Sequence, residues 1–165
     1  LSKTSTIFAY QVADPSRYGI IEFDKEFKVK DIKEKPQNPK SNFAITGLYF
    51  YDNSVITKAK QLAPSKRGEL EITDINKLYL EENKLEAKIL RRGMVWLDTG
   101  THDSLNEASN YIRTIEQRQG LKISCPEEIS WRMGLITDDD LEKLASKLLK
   151  SGYGKYLMNL LYENK

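Results

Sequence analysis

The chain has 165 residues, of which 39% are hydrophobic and 30% charged, with a formal net charge of +2. That size suits one domain with room for a helical extension, and the composition excludes a disordered chain. No apolar run approaches the length of a membrane span, and the charge is too balanced for a nucleic-acid-binding tail. A single cysteine, Cys125, excludes an internal disulfide and a cysteine-rich zinc site. With no secretory leader in view, the chain is expected in a reducing compartment, the cytoplasm. The opening Leu1-Ser2-Lys3-Thr4 lacks a Met and reads as if cut from something longer.

The first half reads mainly as strands. Thr6–Val12 is β-branched and aromatic with little polar relief, which predicts a strand covered on both faces. Asp14-Pro15-Ser16 marks a turn, and Tyr18–Phe23 predicts a second strand. Asp24-Lys25-Glu26 links it to Phe27–Lys33, so the pair predicts a hairpin. A loop rich in Pro, Asn and Ser covers Pro36–Asn42, and Phe43–Tyr51 predicts another strand.

Helical spacing follows. Ser54–Leu62 predicts a short helix with Val55, Ile56, Ala59 and Leu62 inward, and Glu71–Glu82 a longer one burying Ile72, Ile75, Leu78 and Tyr79. Leu85–Leu90 alternates as a strand, and Met94–Leu97 predicts a short buried strand ending at Asp98. Asp103–Gln119 predicts the longest helix, with Leu105, Ala108, Ile112 and Ile115 inward and Gly120 as its stop. The remaining residues predict an all-helical extension. Pro126 opens one helix, Thr137 with Asp140 caps another, and a last amphipathic segment carries Tyr156, Leu157, Leu160 and Leu161. The class is α/β, then α.

Glu34-Lys35-Pro36 places an acid and a base at a strand end. The Lys can neutralise a phosphate and the Glu can accept from sugar hydroxyls, although a solvated turn gives the same pattern. Asp98 stands where a metal ligand would, or caps the following helix in competition with Thr101. Trp96 beside it serves a site or fills core. Gly19 at a strand entry and Gly47 within a strand mark bulges or close backbone approach. The charges of Arg67-Gly68-Glu69 and Glu71–Asp74 fit either a sugar-phosphate cluster or plain capping. His102 has no second His and reads as a helix-start residue. No phosphate-cradling glycine loop and no nucleophile elbow occur.

Five runs carry a resemblance: RYGIIEFD (17–24), EKPQNPKSNFAITGLYFYD (34–52), RGELEITDIN (67–76), WLDTGTHDSL (96–105) and RQGLKISCPEEI (118–129). In this order they resemble the short glucose-1-phosphate thymidylyltransferases, without that family's glycine-rich N-terminal half. The resemblance implies the C-terminal portion of a nucleotide-diphospho-sugar transferase fold, Rossmann-like with a mixed sheet, followed by a helical extension. Residues 1–120 would be the sugar-binding part of the catalytic domain and 121–165 the extension. It also implies Mg²⁺-dependent transfer from dTTP to glucose 1-phosphate, giving dTDP-glucose and pyrophosphate, as part of dTDP-rhamnose biosynthesis. Lys35 would hold the sugar phosphate as the catalytic cation and Glu34 the glucose hydroxyls. Tyr18, Gly19, Ile45 and Trp96 would line the pocket, and Asp98 would ligate Mg²⁺. Arg92, Glu128, Ile129 and Arg132 match a regulatory nucleotide site at a subunit contact of a homo-oligomer, a tetramer in the family. Neither nucleic acid nor membrane is expected as a partner. Two rivals are a non-catalytic remnant that keeps oligomerisation or weak sugar-phosphate binding, and a transferase for another nucleotide, such as a uridylyltransferase. Lacking a triphosphate cradle, these residues alone are expected to be inactive.

Overall fold

The computed structural model describes residues 4–163, with side chains through Tyr162; the opening Leu1–Lys3 lies outside them. Two compact units emerge, Leu1–Trp96 and Leu97–Lys165. In the first, β1 (Ser5–Gln11), β2 (Gly19–Phe23), β3 (Val29–Glu34), β4 (Phe43–Phe50) and β5 (Leu85–Ile89) form one sheet in the order β3-β2-β4-β1-β5. β1 runs parallel to β5 and antiparallel to β4, while β2 is antiparallel to both β3 and β4. The sheet is therefore mixed, as expected, and β2–β3 is the predicted hairpin.

Phe27 belongs to the turn of that hairpin and not to its second strand. Its φ is 58°, and Asp24 closes the turn by accepting from the Glu26 and Lys28 backbone N–H groups at 2.9 and 2.8 Å. β1 also differs from expectation. Ser5, Ile7 and Ala9 are buried, but the alternate residues Thr6, Phe8 and Tyr10 are only half-buried. One face of β1 meets the core formed with Ile21, Ile32 and Ile45; the other stays partly open. A β-branched run fixes the pleat but does not reveal whether a second layer covers it.

Two helices connect β4 to β5: α1 (Val55–Gln61) and α2 (Ile72–Glu81). α1 presents its face differently from the apolar spacing. Ile56 is 58% exposed, whereas Lys58 is buried, ion-paired with Glu82 and placed 4.8 Å over the Tyr79 ring. An amphipathic Lys stem with a local carboxylate outcompetes a short aliphatic stripe. In α2 the buried set is Thr73, Ile75, Asn76 and Tyr79, with Ile72 turned outward. Tyr51 donates to Asn76 Oδ1 at 2.5 Å and Tyr79 to Asp52 at 2.9 Å, so the polar residues of the buried stripe are tied to the chain leaving β4. The predicted strand Met94–Leu97 does not form. Only an isolated bridge links Arg92 and Met94, and Met94, Val95 and Leu97 are exposed. Four apolar residues without a paired neighbour have no ladder to join.

The second unit holds α3 (His102–Gln119), α4 (Pro126–Arg132), α5 (Asp138–Ser146) and α6 (Gly152–Glu163). Thr101 accepts from the Ser104 backbone N–H and closes a capping box, while Gly120, at φ 73°, ends α3. Ala108 of α3 is buried, but Leu105 is 51% exposed, against its predicted inward position. Thr137 and Asp140 form the predicted capping box of α5. Cys125, Leu141, Ala145, Leu157 and Leu160 make the core of α4–α6. Tyr153 and Tyr156, one turn apart on α6, donate to Glu127 and Glu128 in the first turn of α4. A Cβ on Gly154 would sit 2.3 Å from the Leu148 carbonyl, so this helix start tolerates no side chain. Among the described residues no helix is long and apolar enough to cross a membrane.

Candidate functional site

The register of the hairpin builds the centre of the site. Gly19, first in β2, pairs with Glu34, last in β3, and the Lys35 N–H donates to Tyr18 O at 3.0 Å. The ladder thus carries one residue past the strand and stops where Lys35 adopts φ 40° before Pro36. A left-handed lysine is uncommon and costs on the order of 1 kcal/mol, so the turn is held by its surroundings. The Lys35 side chain is exposed, with no acid within ion-pair distance among the described residues.

Two side chains hold Glu34. Thr73, buried on α2, donates from Oγ1 to Glu34 Oε2 at 2.5 Å, and Arg67 Nη1 stands 3.6 Å from Oε1. Tyr49 of β4 is close enough for the Glu34 charge to raise its phenol pKa, after the larger effect of burial. Gly19 completes the enclosure: a Cβ there would lie 3.1 Å from both Glu34 Oε2 and Thr73 Oγ1 and 3.6 Å from Ile45 Cδ1. Its φ is ordinary, so glycine is needed for space and not for backbone conformation. Ile45 is almost buried and forms the apolar floor.

The loop before α2 adds the cation. Arg67 bonds Glu69 at 2.8 Å and approaches Glu71 Oε1 at 3.4 Å, and Glu71 in turn accepts from Ser65 at 2.9 Å. A guanidinium shared among three carboxylates is fixed in place, and Lys33, Lys66 and Lys77 join it around a cleft of about 420 Å³. Carboxylate and cations side by side suit a ligand with hydroxyls at one end and an anion at the other.

An aromatic wall stands beside the hairpin end. Tyr18 meets Trp96 edge-on at 5.1 Å between ring centroids, Tyr10 meets Trp96 at 6.0 Å, and the Tyr10 hydroxyl donates to Met94 O at 3.3 Å. Trp96 is half-buried in this way although its backbone is irregular. The predicted residues Tyr18, Gly19, Glu34, Lys35, Ile45 and Trp96 all belong to the first unit, and Glu34 and Ile45 both border the space where a Gly19 side chain would begin. Arg67 and Thr73 fall in the runs 67–69 and 71–74 that the sequence offers as either a sugar-phosphate cluster or plain capping, while Tyr49 has no predicted place in the pocket. The available signal was the spacing Thr73, Asn76, Tyr79, which marks one face of α2 as well as the aliphatic residues do.

In the second unit Asp98 is exposed, and Thr101 takes the α3 cap. The carboxylate has no hydrogen bond or ion pair among the described residues, so it is left available. No cluster of three His, Cys, Asp or Glu able to hold a metal exists among the described residues. One free carboxylate fits Mg²⁺ only as a partial ligand set, the remainder coming from phosphates and water. Glu128 is buried on α4, accepting from Arg132 Nε at 2.8 Å and from Tyr156, while Ile129 is exposed. Arg92 is exposed in the first unit.

A nucleotidyl transferase family model matches residues 1–115. The chain belongs to the nucleotidyl transferase family. It is 54% identical over 157 residues to a glucose-1-phosphate thymidylyltransferase of Neisseria meningitidis, covering 95% of this chain and 54% of that relative. It is 57% identical over 155 residues to the Mycolicibacterium smegmatis protein of the same name, covering 94% and 54%. The chain thus spans about half the length of the curated relatives it matches. Among solved structures it resembles a Bacillus anthracis protein described as a candidate glucose-1-phosphate thymidylyltransferase in complex with sucrose (TM-score 0.58, 42% identity, 66% of this chain and 43% of that one). It also resembles a UDP-glucose pyrophosphorylase complexed with UDP-glucose (TM-score 0.61, 25% identity, 68% and 45%). The likeness supports an α/β nucleotide-sugar transferase fold for this chain, as part of a larger domain.

Proposed function

We propose that this chain supplies the sugar-phosphate side of a glucose-1-phosphate thymidylyltransferase, with residues 1–120 as the catalytic-domain portion and 121–165 as a helical extension. The observation that carries the reading is the Gly19–Glu34–Thr73 enclosure beside Lys35, a carboxylate fixed for hydroxyls next to a cation exposed for a phosphate. The relatives' names support the substrates, glucose 1-phosphate and dTTP, and the product dTDP-glucose.

The reaction brings two anions together, so the chain's contribution is charge neutralisation and positioning. Thr73 fixes Glu34 so that its free lone pairs meet sugar hydroxyls. Lys35 offsets the phosphate charge, while Arg67, shared among three carboxylates, holds Glu34 in place. Ile45, Tyr18 and Trp96 keep one side of the sugar dry, which strengthens the polar contacts. Bound Mg²⁺ would neutralise phosphate charge during transfer, and Asp98 is the residue that would ligate it. Arg92, Glu128, Ile129 and Arg132 are proposed as part of a regulatory nucleotide site in a cytoplasmic homo-oligomer of a dTDP-rhamnose route, a reading that rests on the resemblance.

The test is a chimera that adds to this chain the part of the Neisseria relative it does not match. Supplied with glucose 1-phosphate and either dTTP or UTP, it should form dTDP-glucose in preference to UDP-glucose, and a Glu34→Ala variant should lose turnover. Preference for UTP would favour the uridylyltransferase reading, for which the UDP-glucose pyrophosphorylase likeness speaks. No product with either nucleotide would favour a non-catalytic remnant.

A further inference from the structure

The helical unit contains a cleft of about 840 Å³ lined by residues of α3, the loop after it and α6. None of the residues assigned above to sugar, phosphate or metal lines it. Its size is that of a small-molecule site. Ala108 and Ile112 of α3 and Leu121 of the following loop give it an apolar floor. The Tyr156 ring is part of the wall, but its hydroxyl is taken by Glu128, so Tyr156 offers a ligand a ring face and not a donor.

The cleft also carries charges. Glu116 is the acid there, and it is already satisfied. Lys122 Nζ lies at 2.5 Å and the Ile123 N–H at 3.0 Å, which together hold its carboxyl below the usual carboxylate range. Arg113 and Lys155 remain, one from each helix, with no acid in ion-pair distance among the described residues. Asn159 adds an amide with no hydrogen bond among the described residues. With Glu116 paired, Arg113 and Lys155 are the lining cations left for an anionic ligand.

We propose that this cleft is a second ligand site, for a small organic anion with an aromatic or aliphatic body, such as a phosphate or carboxylate ester of a ring compound. The body lies on Ile112, Leu121 and the Tyr156 ring, and the anionic head bridges Arg113 and Lys155. Bridging two helices, such a ligand ties α6 to α3. The proposal is independent of the transferase reading, because no residue of the sugar-phosphate site takes part.

The test is a titration of the isotopically labelled chain, followed by backbone amide NMR, with phenyl phosphate, inorganic phosphate and benzyl alcohol as separate probes. Phenyl phosphate should bind saturably, shift Ile112, Leu121 and Asn159, and bind tighter than either of the other probes. Combining Arg113→Gln and Lys155→Gln removes two exposed cations without touching the helix core. It should weaken phenyl phosphate about tenfold, as expected for two partly screened contacts, and leave benzyl alcohol unchanged. Added salt should weaken phenyl phosphate in the same direction. Phenyl phosphate binding no tighter than inorganic phosphate would overturn the proposal. So would affinity unchanged in the double variant, or shifts confined to the sheet unit.

Discussion

Gly19→Ala tests the enclosure around Glu34 with a single methyl group. The added Cβ would sit 3.1 Å from Glu34 Oε2 and from Thr73 Oγ1, closer than real Cβ contacts ordinarily come. The carboxylate and the Thr73 hydroxyl must each give by a few tenths of an ångström, which strains their 2.5 Å hydrogen bond and at the limit breaks it. A hydrogen bond to a charged group contributes roughly 1.5–3 kcal/mol. Against this, Ala restricts the unfolded chain and contributes about 0.4–1 kcal/mol of stability where the backbone suits it, as it does here. The net expectation is a loss of about 1–2 kcal/mol in urea unfolding. In the active chimera the displaced carboxylate should lower kcat/KM for glucose 1-phosphate by roughly 10–100-fold while KM for dTTP holds. A Gly19→Ala chain that is more stable than the parent, with sugar kinetics unchanged, would refute the steric reasoning.

Lys35→Ala in the chimera should raise KM for glucose 1-phosphate by about tenfold and leave dTTP nearly untouched, since one charge-assisted contact is removed; equal losses for both substrates would indicate a structural role. Asp98→Asn should not change the melting temperature, because Thr101 caps α3, yet turnover over a magnesium titration should collapse. Burial, then the hydrogen bond to Glu128, pushes the Tyr156 phenol up to about 12. A raised folded-state pKa means that this contribution is complete below the unfolded phenol's pKa, about 10, and is lost as pH rises through the folded value. Tyr156→Phe should therefore flatten the alkaline limb of the stability curve between those limits, which chemical denaturation at stepped pH measures. Gly154→Ala should destabilise the α5–α6 turn, because the Cβ would overlap backbone at 2.3 Å; unchanged thermal unfolding would contradict that contact.

Local signals carried the elements well where capping and periodicity agreed. Thr137 with Asp140, Pro126 and Gly120 mark helix ends in the sequence and do so in the structure. The hairpin end was legible for a similar reason: Glu34 and Lys35 precede a Pro, and the register places Gly19 opposite Glu34. Thr73 was harder to see. Its role depends on α2 packing a polar stripe against the sheet, and aliphatic spacing favoured Ile72 instead. Lys58 was missed because burial of a cation requires Glu82, 24 residues away in sequence, and such pairing leaves no local trace. The apolar run at Met94–Leu97 misled in the other direction, since strand propensity without a partner strand builds no ladder. Trp96 is half-buried even so, because Tyr10 and Tyr18 pack on it without needing a strand.

The most direct measurement of the central claim is pyrophosphate release from dTTP, recorded with and without glucose 1-phosphate. It should be made on the 165-residue chain beside the chimera that supplies the unmatched part of the Neisseria relative. The account predicts release by the chimera only when glucose 1-phosphate is present, and none by the shorter chain, which has no glycine-rich loop to cradle a triphosphate. Comparable turnover by the shorter chain alone, or release by the chimera that ignores glucose 1-phosphate, would contradict it.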